Sequence, residues 1–226
     1  MKSNFYFNYS LCNIYIKPSI KTEVSSQILY GEKFSILSKK KGWIKIKTNY
    51  DKYIGYIKNK KFIKNFSPTH KVFRVKTQIF KKSNKKFIPI NKFLYFASRI
   101  TFHNHNNGLI EFEKNKWLRK SDLKKINHIE RDYLKILKLF LKTKYLWGGK
   151  TYKGIDCSAI LQLFFYYNNK FYPRDTKDQI KYLRRNAKSK IFKKGDIIFW
   201  KGHVAICLNS KKLIHAYGPE KKVLIM

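Results

Sequence analysis

One cysteine and two histidines in the last third of the chain have the residue types and spacing for nucleophilic catalysis. Cys157 follows Asp156 at the start of an apolar run, 157–166, that is typical of a buried helix. A helix N-terminus offers free N–H groups and partial positive charge, and both favour a thiolate. His203 and His215 flank a predicted hairpin, so a loop with an odd number of residues would place both imidazoles on one sheet face. The pattern indicates a thiol nucleophile with a base and an orienting group.

The other two cysteines give no sign of a disulfide framework or a zinc site. Cys12 and Cys207 complete an odd total of three, and no two cysteines have CxxC spacing. Cys207 lies in a short apolar stretch, where a cysteine is usually a buried and inert side chain. We therefore expect no metal and no cofactor, with Cys157 as the reactive thiol.

The elements that must position these residues change character near Ile129. Before it, short β-branched and aromatic segments separated by turns predict small β-barrels. After it, apolar residues at helical spacing predict a helix over 129–140, followed by the helix that opens at Cys157. Strands are predicted over 195–200, 203–208 and 212–217. The order predicts an α+β fold with separate domains. The expected ranges are 1–66 and 67–126 for two β-barrels and 127–226 for the α+β part.

The charge balance admits two interpretations. The 226 residues include 51 Lys+Arg and 13 Asp+Glu, a formal net charge of +38. Such an excess can mark binding to nucleic acid or to an anionic surface. The lysines are nevertheless spread over the whole length without a single basic arm, which is typical of a solvated surface. Weak attraction to anionic polymers is expected in either case. Hydrophobic residues make up 43% of the chain, which excludes a disordered protein.

The sequence predicts a protein without a membrane span. The N-terminus has no apolar segment of the kind found in secretory signals. No run of about eighteen apolar residues, the length that can cross a bilayer, is present. We expect a cytoplasmic location.

Five motifs in the second half resemble, in order and spacing, the NlpC/P60 family of cysteine peptidases. They are Tyr145-Leu146-Trp147-Gly148-Gly149, Gly154-Ile155-Asp156-Cys157-Ser158, Gly195-Asp196-Ile197-Ile198-Phe199-Trp200, Gly202-His203-Val204-Ala205-Ile206 and Leu213-Ile214-His215-Ala216. The resemblance implies a papain-like α+β core with Cys157 as nucleophile, His203 as general base and His215 as the orienting residue. It also implies that Tyr145 lies near the thiolate. Arg174 is implied at the rim of the active site, as a substrate-binding residue.

Three motifs in the first half are similar to bacterial SH3-like domains. They are Leu29-Tyr30-Gly31-Glu32, Gly42-Trp43 and Tyr53-Ile54-Gly55-Tyr56-Ile57. SH3-like domains followed by this peptidase resemble the γ-D-glutamyl-L-diamino acid endopeptidases, which require a substrate with a free N-terminal L-Ala. The layout implies that Asp156 and Ser158 help to bind the substrate's amine, since an ammonium needs a carboxylate partner in a closed pocket. Glu32 and Tyr53 are the candidates from the SH3-like side. Their alternative role is only to shape turns.

Two positions depart from the family pattern. Ala159 stands where many members have glycine, and because alanine is small and favours helix, activity is not put in doubt. The family usually continues beyond the third catalytic position into a further strand or short helix. Val223–Met226 is expected to be that strand in a shortened form, with a loose sheet edge beside His215.

The expected activity is hydrolysis of the γ-D-Glu–diamino acid bond in small peptidoglycan-derived peptides, in cell-wall recycling or turnover. Cys157 attacks the carbonyl carbon, His203 protonates the leaving amine, and water hydrolyses the acyl-enzyme. One alternative is a basic SH3-like protein with a degenerate peptidase domain, held by charge on nucleic acid or wall polymer. Another is an amidase or acyltransferase with the same fold.

Overall fold

The computed structural model describes residues 4–183 and 191–226. The chain divides into two compact units, Met1–His128 and Ile129–Met226. The described part of the first unit is built from strands and one 3-10 turn, whereas the second combines helices with strands. This confirms the α+β class, while the domain boundaries after residues 66 and 126 stay predictions. Among the described residues, no helix is both long and apolar enough to cross a membrane.

The first unit contains short antiparallel strands. They are β1 (Asn4–Tyr6), β2 (Leu11–Tyr15), β3 (Val24–Leu29), β4 (Lys33–Lys40), β5 (Trp43–Thr48), β6 (Ile54–Lys58), β7 (His70–Val72), β8 (Lys76–Ser83), β9 (Lys86–Tyr95), β10 (Arg99–Ile100), β11 (Asn104–Asn106), β12 (Leu109–Glu113), β13 (Lys116–Arg119) and β14 (Leu123–Lys125). The 3-10 turn spans Lys120–Asp122.

The first core of this unit lies against a six-stranded sheet with the order β1-β4-β5-β6-β2-β3. The alternation in β5 follows the sequence, because Ile44 and Ile46 are fully buried while Lys47 is exposed. The buried residues of this core are Phe7, Ile14, Ile28, Phe34, Ile44, Ile46 and Ile57. The small β-structure predicted for the front of the chain is therefore present.

A second core in the same unit is formed by different strands. They belong to a three-stranded sheet, β10-β7-β14, and a five-stranded sheet, β11-β12-β13-β8-β9. The core residues are Tyr30, Val72, Ile79, Leu94, Ile100, Ile110, Phe112, Leu118 and Leu123. Apart from Tyr30, all of them come from the second half of the unit. The second β-rich segment of the sequence thus has a core of its own.

The second unit places helices beside a four-stranded antiparallel sheet with the order β17-β18-β19-β20. Its elements are α1 (Tyr133–Leu139), β15 (Lys150–Thr151), β16 (Gly154–Ile155), α2 (Cys157–Tyr167), α3 (Thr176–Leu183), β17 (Ile197–Trp200), β18 (His203–Cys207), β19 (Leu213–Tyr217) and β20 (Lys222–Ile225). Helix α2 packs against β18 and β19. This packing brings the N-terminus of α2 to the sheet that carries both histidines.

Helix α2 begins and ends for local reasons. Its N-cap is Asp156, whose Oδ1 accepts a hydrogen bond from the backbone N–H of Ala159 at 2.8 Å. Most of its residues are buried, so packing adds to the cap. After the C-cap Asn168, Asn169 adopts a left-handed φ of 56°, a conformation that asparagine tolerates well. The predicted buried helix opening at the cysteine is confirmed.

Helix α1 is shorter than the sequence predicted. The expected range was 129–140, but the helix begins at Tyr133. Asp132 is its N-cap, and the Asp132 carboxylate accepts from the N–H of Leu134 at 3.0 Å. Ile129, which the helical spacing included, lies before the cap and is 46% exposed. A capping residue therefore overrides the apolar periodicity at this end.

The strand predicted at Val223–Met226 is present as β20. It pairs with β19 along its whole length, placing His215 opposite Leu224. His215 consequently lies in a strand that has a neighbour on each side. The sheet beside His215 is regular rather than loose.

Candidate active site

Cys157 is the first residue of α2 and faces the turn that leads into β18. Its side chain is buried, and its Sγ lies 4.0 Å from the carbonyl oxygen of Gly202. Gly202 has a left-handed φ of 74°, which glycine adopts without strain, and this turn leads directly into His203. The thiol is thus positioned by a helix cap on one side and by a glycine turn on the other.

The environment of Cys157 raises the pKa of its thiol. Burial is the main cause, and the neighbouring Asp156 carboxylate adds to it. Hydrogen bonds from the Val204 N–H, the Thr176 hydroxyl and the Ser158 N–H act in the opposite direction without reversing it. The helix N-terminus by itself favours a thiolate. The whole environment instead favours a neutral thiol, which needs a base.

The two histidines meet on one face of the sheet. In the β18–β19 pair, Cys207 is opposite Leu213. The loop between them, 208–212, has an odd number of residues, as the prediction required. His203 Nε2 lies 2.8 Å from His215 Nδ1, a hydrogen-bond distance. The predicted proximity of the two imidazoles is confirmed.

Burial keeps both imidazoles neutral near pH 7. It lowers the pKa of His203. It also lowers the pKa of His215 to about 4, and the nearby His203 contributes to that shift. A neutral His203 has one nitrogen with a lone pair and can accept a proton.

His215 is enclosed by two further side chains. The Tyr217 ring stacks on its imidazole, with centroids 4.7 Å apart and an interplanar angle of 14°. The sulfur of Met226 lies 3.1 Å from His215 Nε2. These residues border a cavity of about 390 Å³. The cavity is lined by Trp200, His203, Leu213, His215, Tyr217 and Met226.

A buried ion pair lies on the helix side of the thiol. Arg174 Nη2 donates to Asp156 Oδ2 at 2.6 Å, and Arg174 Nη1 donates to Asp156 Oδ1 at 2.9 Å. Ser158 Oγ donates to Asp156 Oδ1 at 3.0 Å and accepts from Arg174 Nη1 at 2.9 Å. The N–H of Gly148 also donates to Asp156. Together with the cap bond from Ala159, five donors reach the carboxylate, the bidentate pair among them. Arg174 was expected at the rim, but it is only 3% exposed.

Helix α3 contacts the segments that carry the Asp156–Arg174 ion pair. Gln179 is fully buried, and its Nε2 donates to the carbonyls of Ser158 at 3.0 Å and Pro173 at 2.9 Å. These two bonds tie the start of α2 to the segment that carries Arg174. The arrangement adds a second support for the nucleophile's neighbours, besides the packing of α2 on the sheet.

Tyr145 lies close to the nucleophile, as expected for the tyrosine of the first motif. It forms a parallel bridge with Ile155, just before the cap of α2. Its pKa is raised to about 12, by burial first and then by Cys157 and Asp156, with Arg174 opposing. The Tyr145 hydroxyl therefore remains a hydrogen-bond donor at neutral pH.

Comparison with known proteins places both parts of the chain. Residues 142–225 match the NlpC/P60 family, and residues 14–62 match the bacterial dipeptidyl-peptidase Sh3 domain. Residues 142–225 form an NlpC/P60 domain. The chain is a cysteine-type peptidase with an N-terminal SH3-like domain.

Curated relatives match over most of their length. The chain is 26% identical over 230 residues to dipeptidyl-peptidase 6 of Lysinibacillus sphaericus, spanning 91% of this chain and 84% of the relative. It is 24% identical over 226 residues to gamma-D-glutamyl-L-lysine dipeptidyl-peptidase of Bacillus subtilis (strain 168), spanning 90% and 75% respectively. A crystal structure of an NlpC/P60 family protein from Bacillus cereus shares the fold, with a TM-score of 0.82 at 20% identity. That match covers 99% of this chain and 94% of the other.

The two candidates from the SH3-like domain have structural contacts within their own unit. Glu32 is 3% exposed, and its Oε1 accepts from the backbone N–H of Leu29 at 3.0 Å. The hydroxyl of Tyr53 donates to the carbonyl of Ser25 at 3.2 Å. These bonds stabilise turns and strand ends, which is the structural role that the sequence argument left open. Their role toward a substrate stays a prediction.

Three neighbours of the NlpC/P60 site received no role from the sequence. Tyr217 could have been found, because it is two residues beyond His215 in one strand and so shares its face. Thr176 and Met226 gave no such signal, since their contacts join residues distant in sequence.

Among the described residues, no group of three or more His, Cys, Asp or Glu side chains is placed to hold a metal ion.

Proposed function

We propose that this NlpC/P60 peptidase hydrolyses the γ-D-Glu–diamino acid bond of small peptidoglycan-derived peptides with a free N-terminal L-Ala. The observation that carries the catalytic part is the 2.8 Å contact of His203 with His215, on the strand pair that packs against Cys157 and its helix. The substrate class is supported by the relatives named dipeptidyl-peptidase 6 and gamma-D-glutamyl-L-lysine dipeptidyl-peptidase, which match across both domains.

In the proposed reaction, Cys157 is the nucleophile and His203 is the base. Because His203 Nε2 contacts His215, the other ring nitrogen, Nδ1, is assigned to the thiol. Nδ1 takes the thiol proton as Sγ attacks the γ-carbonyl carbon of D-Glu, and the protonated ring then donates to the leaving amine of the diamino acid. Water, deprotonated by the same ring, hydrolyses the thioester and releases L-Ala-γ-D-Glu. His215 orients His203 in both steps.

Tyr145 and the buried ion pair are assigned supporting roles. Because the pKa of Tyr145 is raised to about 12, its hydroxyl can donate to the oxyanion of the tetrahedral intermediate. Asp156 already receives five hydrogen bonds, so its contribution to the substrate's amine is its negative field. The Ser158 hydroxyl, which donates to Asp156 and accepts from Arg174, has a second lone pair for the ammonium. Glu32 and Tyr53 are proposed to contribute from the SH3-like domain.

The cellular location and the charge of the protein also bear on its function. We place the enzyme in the cytoplasm, acting on imported muropeptides in cell-wall recycling. The net charge of +38 supports weak binding to anionic polymers in addition to the peptide substrate.

A panel of defined peptides analysed by mass spectrometry tests this function. The panel contains L-Ala-γ-D-Glu-diaminopimelate, its lysine counterpart and the N-acetylated form of each. The wild-type enzyme should release L-Ala-γ-D-Glu from the free-amine peptides, and Cys157→Ala should release none while keeping its circular dichroism spectrum.

Three outcomes would contradict parts of the proposal. Turnover by Cys157→Ala would exclude this thiol as the nucleophile. Equal cleavage of acetylated peptides would exclude the amine pocket. A wild-type protein that cleaves nothing but binds nucleic acid with a steep salt dependence would favour a basic binding protein instead.

A further inference from the structure

The side chain of Met226 is held beside the imidazole of His215. The backbone of Met226 continues the pairing of β20 with β19, because its N–H donates to the carbonyl of Leu213 at 3.0 Å. The N–H of Leu213 donates in return to the carbonyl of Met226 at 2.8 Å. These two bonds fix the backbone from which Sδ reaches to 3.1 Å from His215 Nε2. The contact therefore follows from sheet register.

The chemistry of a thioether allows one direction for this contact. A methionine sulfur carries no proton and can only accept a hydrogen bond. His215 Nε2 must therefore carry the proton. A neutral imidazole has a single N–H, so Nδ1 of His215 then has a bare lone pair. The low pKa of His215 is consistent with this neutral form.

The same reasoning extends to His203. Its Nε2 lies 2.8 Å from the bare Nδ1 of His215, so a hydrogen bond there requires a proton on His203 Nε2. Neutral His203 then has its lone pair on Nδ1. That nitrogen is the one assigned to the thiol of Cys157.

The opposite assignment leaves the site without a base. With the proton of His215 on Nδ1, its Nε2 lone pair would face the lone pairs of the Met226 sulfur. Nε2 of His203 would accept from His215, and Nδ1 of His203 would carry a proton. A protonated Nδ1 cannot take the proton of Cys157.

We propose that Met226 is a positioning residue whose thioether selects the Nε2–H tautomer of His215, and through it the tautomer of His203 that can act as a base. The inference rests on the catalytic roles proposed above. Among the residues that the structure describes, His203, Tyr217 and Met226 contact the His215 ring. Of these, only Met226 lies within hydrogen-bond distance of Nε2 through an atom that is obligatorily an acceptor.

Substitutions at Met226 and at the adjacent residue can test this role. Met226→Leu removes the acceptor with little change in volume. Ile225→Leu changes the adjacent residue of the same strand and is the matched control. Methionine occurs only at positions 1 and 226, so norleucine labelling replaces the sulfur of Met226 with a methylene throughout the sample. Met226 is 55% exposed, so these changes remove little core packing.

The decisive measurement is the tautomer of each histidine, read from ¹⁵N chemical shifts and long-range ¹H–¹⁵N couplings. Wild type and Ile225→Leu should show protons on Nε2 of both His203 and His215. Met226→Leu and the norleucine protein should show mixed tautomers. Their kcat should fall about fivefold with an unchanged KM, which is the effect of losing one modest hydrogen bond.

The outcomes separate this inference from the proposed function. An Nδ1–H tautomer of His215 in the wild type, or unchanged tautomers and kcat in Met226→Leu, would overturn the role of Met226. An equal loss of kcat in Ile225→Leu would attribute the effect to the edge strand and would also overturn it. A wild type that shows the expected tautomers but cleaves no peptide would contradict the function and leave the tautomer assignment standing.

Discussion

The two sides of Cys157 are built from different chemistry. On the helix side, Asp156 and Arg174 form a buried ion pair, 5% and 3% exposed. On the sheet side, His203 and His215 form a neutral pair whose pKa values are both lowered by burial. One side is held by full charges and the other by a chain of neutral hydrogen bonds.

Because of this difference, one side of the site is suited to fixing the position of the thiol and the other to determining its reactivity. A bidentate guanidinium–carboxylate pair fixes its geometry through two parallel charge-assisted hydrogen bonds. A neutral imidazole can accept and return a proton near pH 7, as a base in hydrolysis must. We infer that the helix side mainly fixes the nucleophile and that the sheet side mainly supplies its chemistry.

The largest expected effect is on activity and lies on the sheet side. His203→Gln removes the base while keeping a polar side chain, so kcat should fall by about 10²–10⁴, the usual contribution of a general base. Its free energy of unfolding should change by less than about 1 kcal/mol, because the partly exposed site tolerates a polar residue. Steady-state kinetics and urea unfolding of the same preparation check both statements. Full activity in this variant would remove the distinction between the two sides.

The helix side should show the reverse pattern. Arg174→Met leaves the Asp156 carboxylate buried without its counter-ion, which should destabilise the second unit by about 3–5 kcal/mol. Arg131→Met, at an exposed arginine of the same unit, is the matched control and should be nearly neutral. Calorimetry resolves the transition of this unit. A loss below about 1 kcal/mol would show that the ion pair is not what holds the cap of α2.

Acid should weaken the sheet side, because one of its histidines has a lowered pKa. The pKa of His215 is about 4 in the folded protein, against an ordinary value of 6.5. The unfolded chain therefore binds the extra proton first. Stability from this group is complete above pH 6.5 and is lost as the pH falls toward 4, by roughly 3 kcal/mol at most. Urea unfolding across this range should show the decline, and His215→Asn should flatten it. An equally steep decline in His215→Asn would assign the acid sensitivity to other groups.

Those parts of the site that depend on local sequence patterns could be predicted from the sequence. The helix opening at Cys157 followed from an apolar run with Asp156 before it, and the meeting of the two histidines followed from strand parity. Helix α1 was too long in the prediction, because spacing was given more weight than the cap at Asp132.

Contacts between distant segments cannot be predicted from local sequence patterns. Arg174 pairs with a residue eighteen positions earlier, and Met226 contacts one eleven positions earlier, so both depend on tertiary packing. The thiol pKa was misjudged for a related reason. The helix N-terminus is a local feature, whereas the burial of Cys157 beside Asp156 outweighs it and is known only once the unit is folded.

The smallest expected effect tests whether a hydrogen bond from the helix side lowers the pKa of the thiol. Thr176, at the start of α3, hydrogen-bonds Cys157 and lowers its pKa against the stronger effect of burial. Thr176→Val should therefore raise the thiol pKa further and slow alkylation by iodoacetamide at pH 7, by a factor of about five at most. Thr151→Val is the control, because the Thr151 hydroxyl accepts from the N–H of Lys153 instead. If alkylation rates at several pH values are the same in both variants, the Thr176 hydrogen bond does not influence the thiol, whose pKa is then set by burial and by Asp156. If only Thr176→Val is slowed, one residue of the helix side takes part in the chemistry, and the separation between the two sides is a difference of degree.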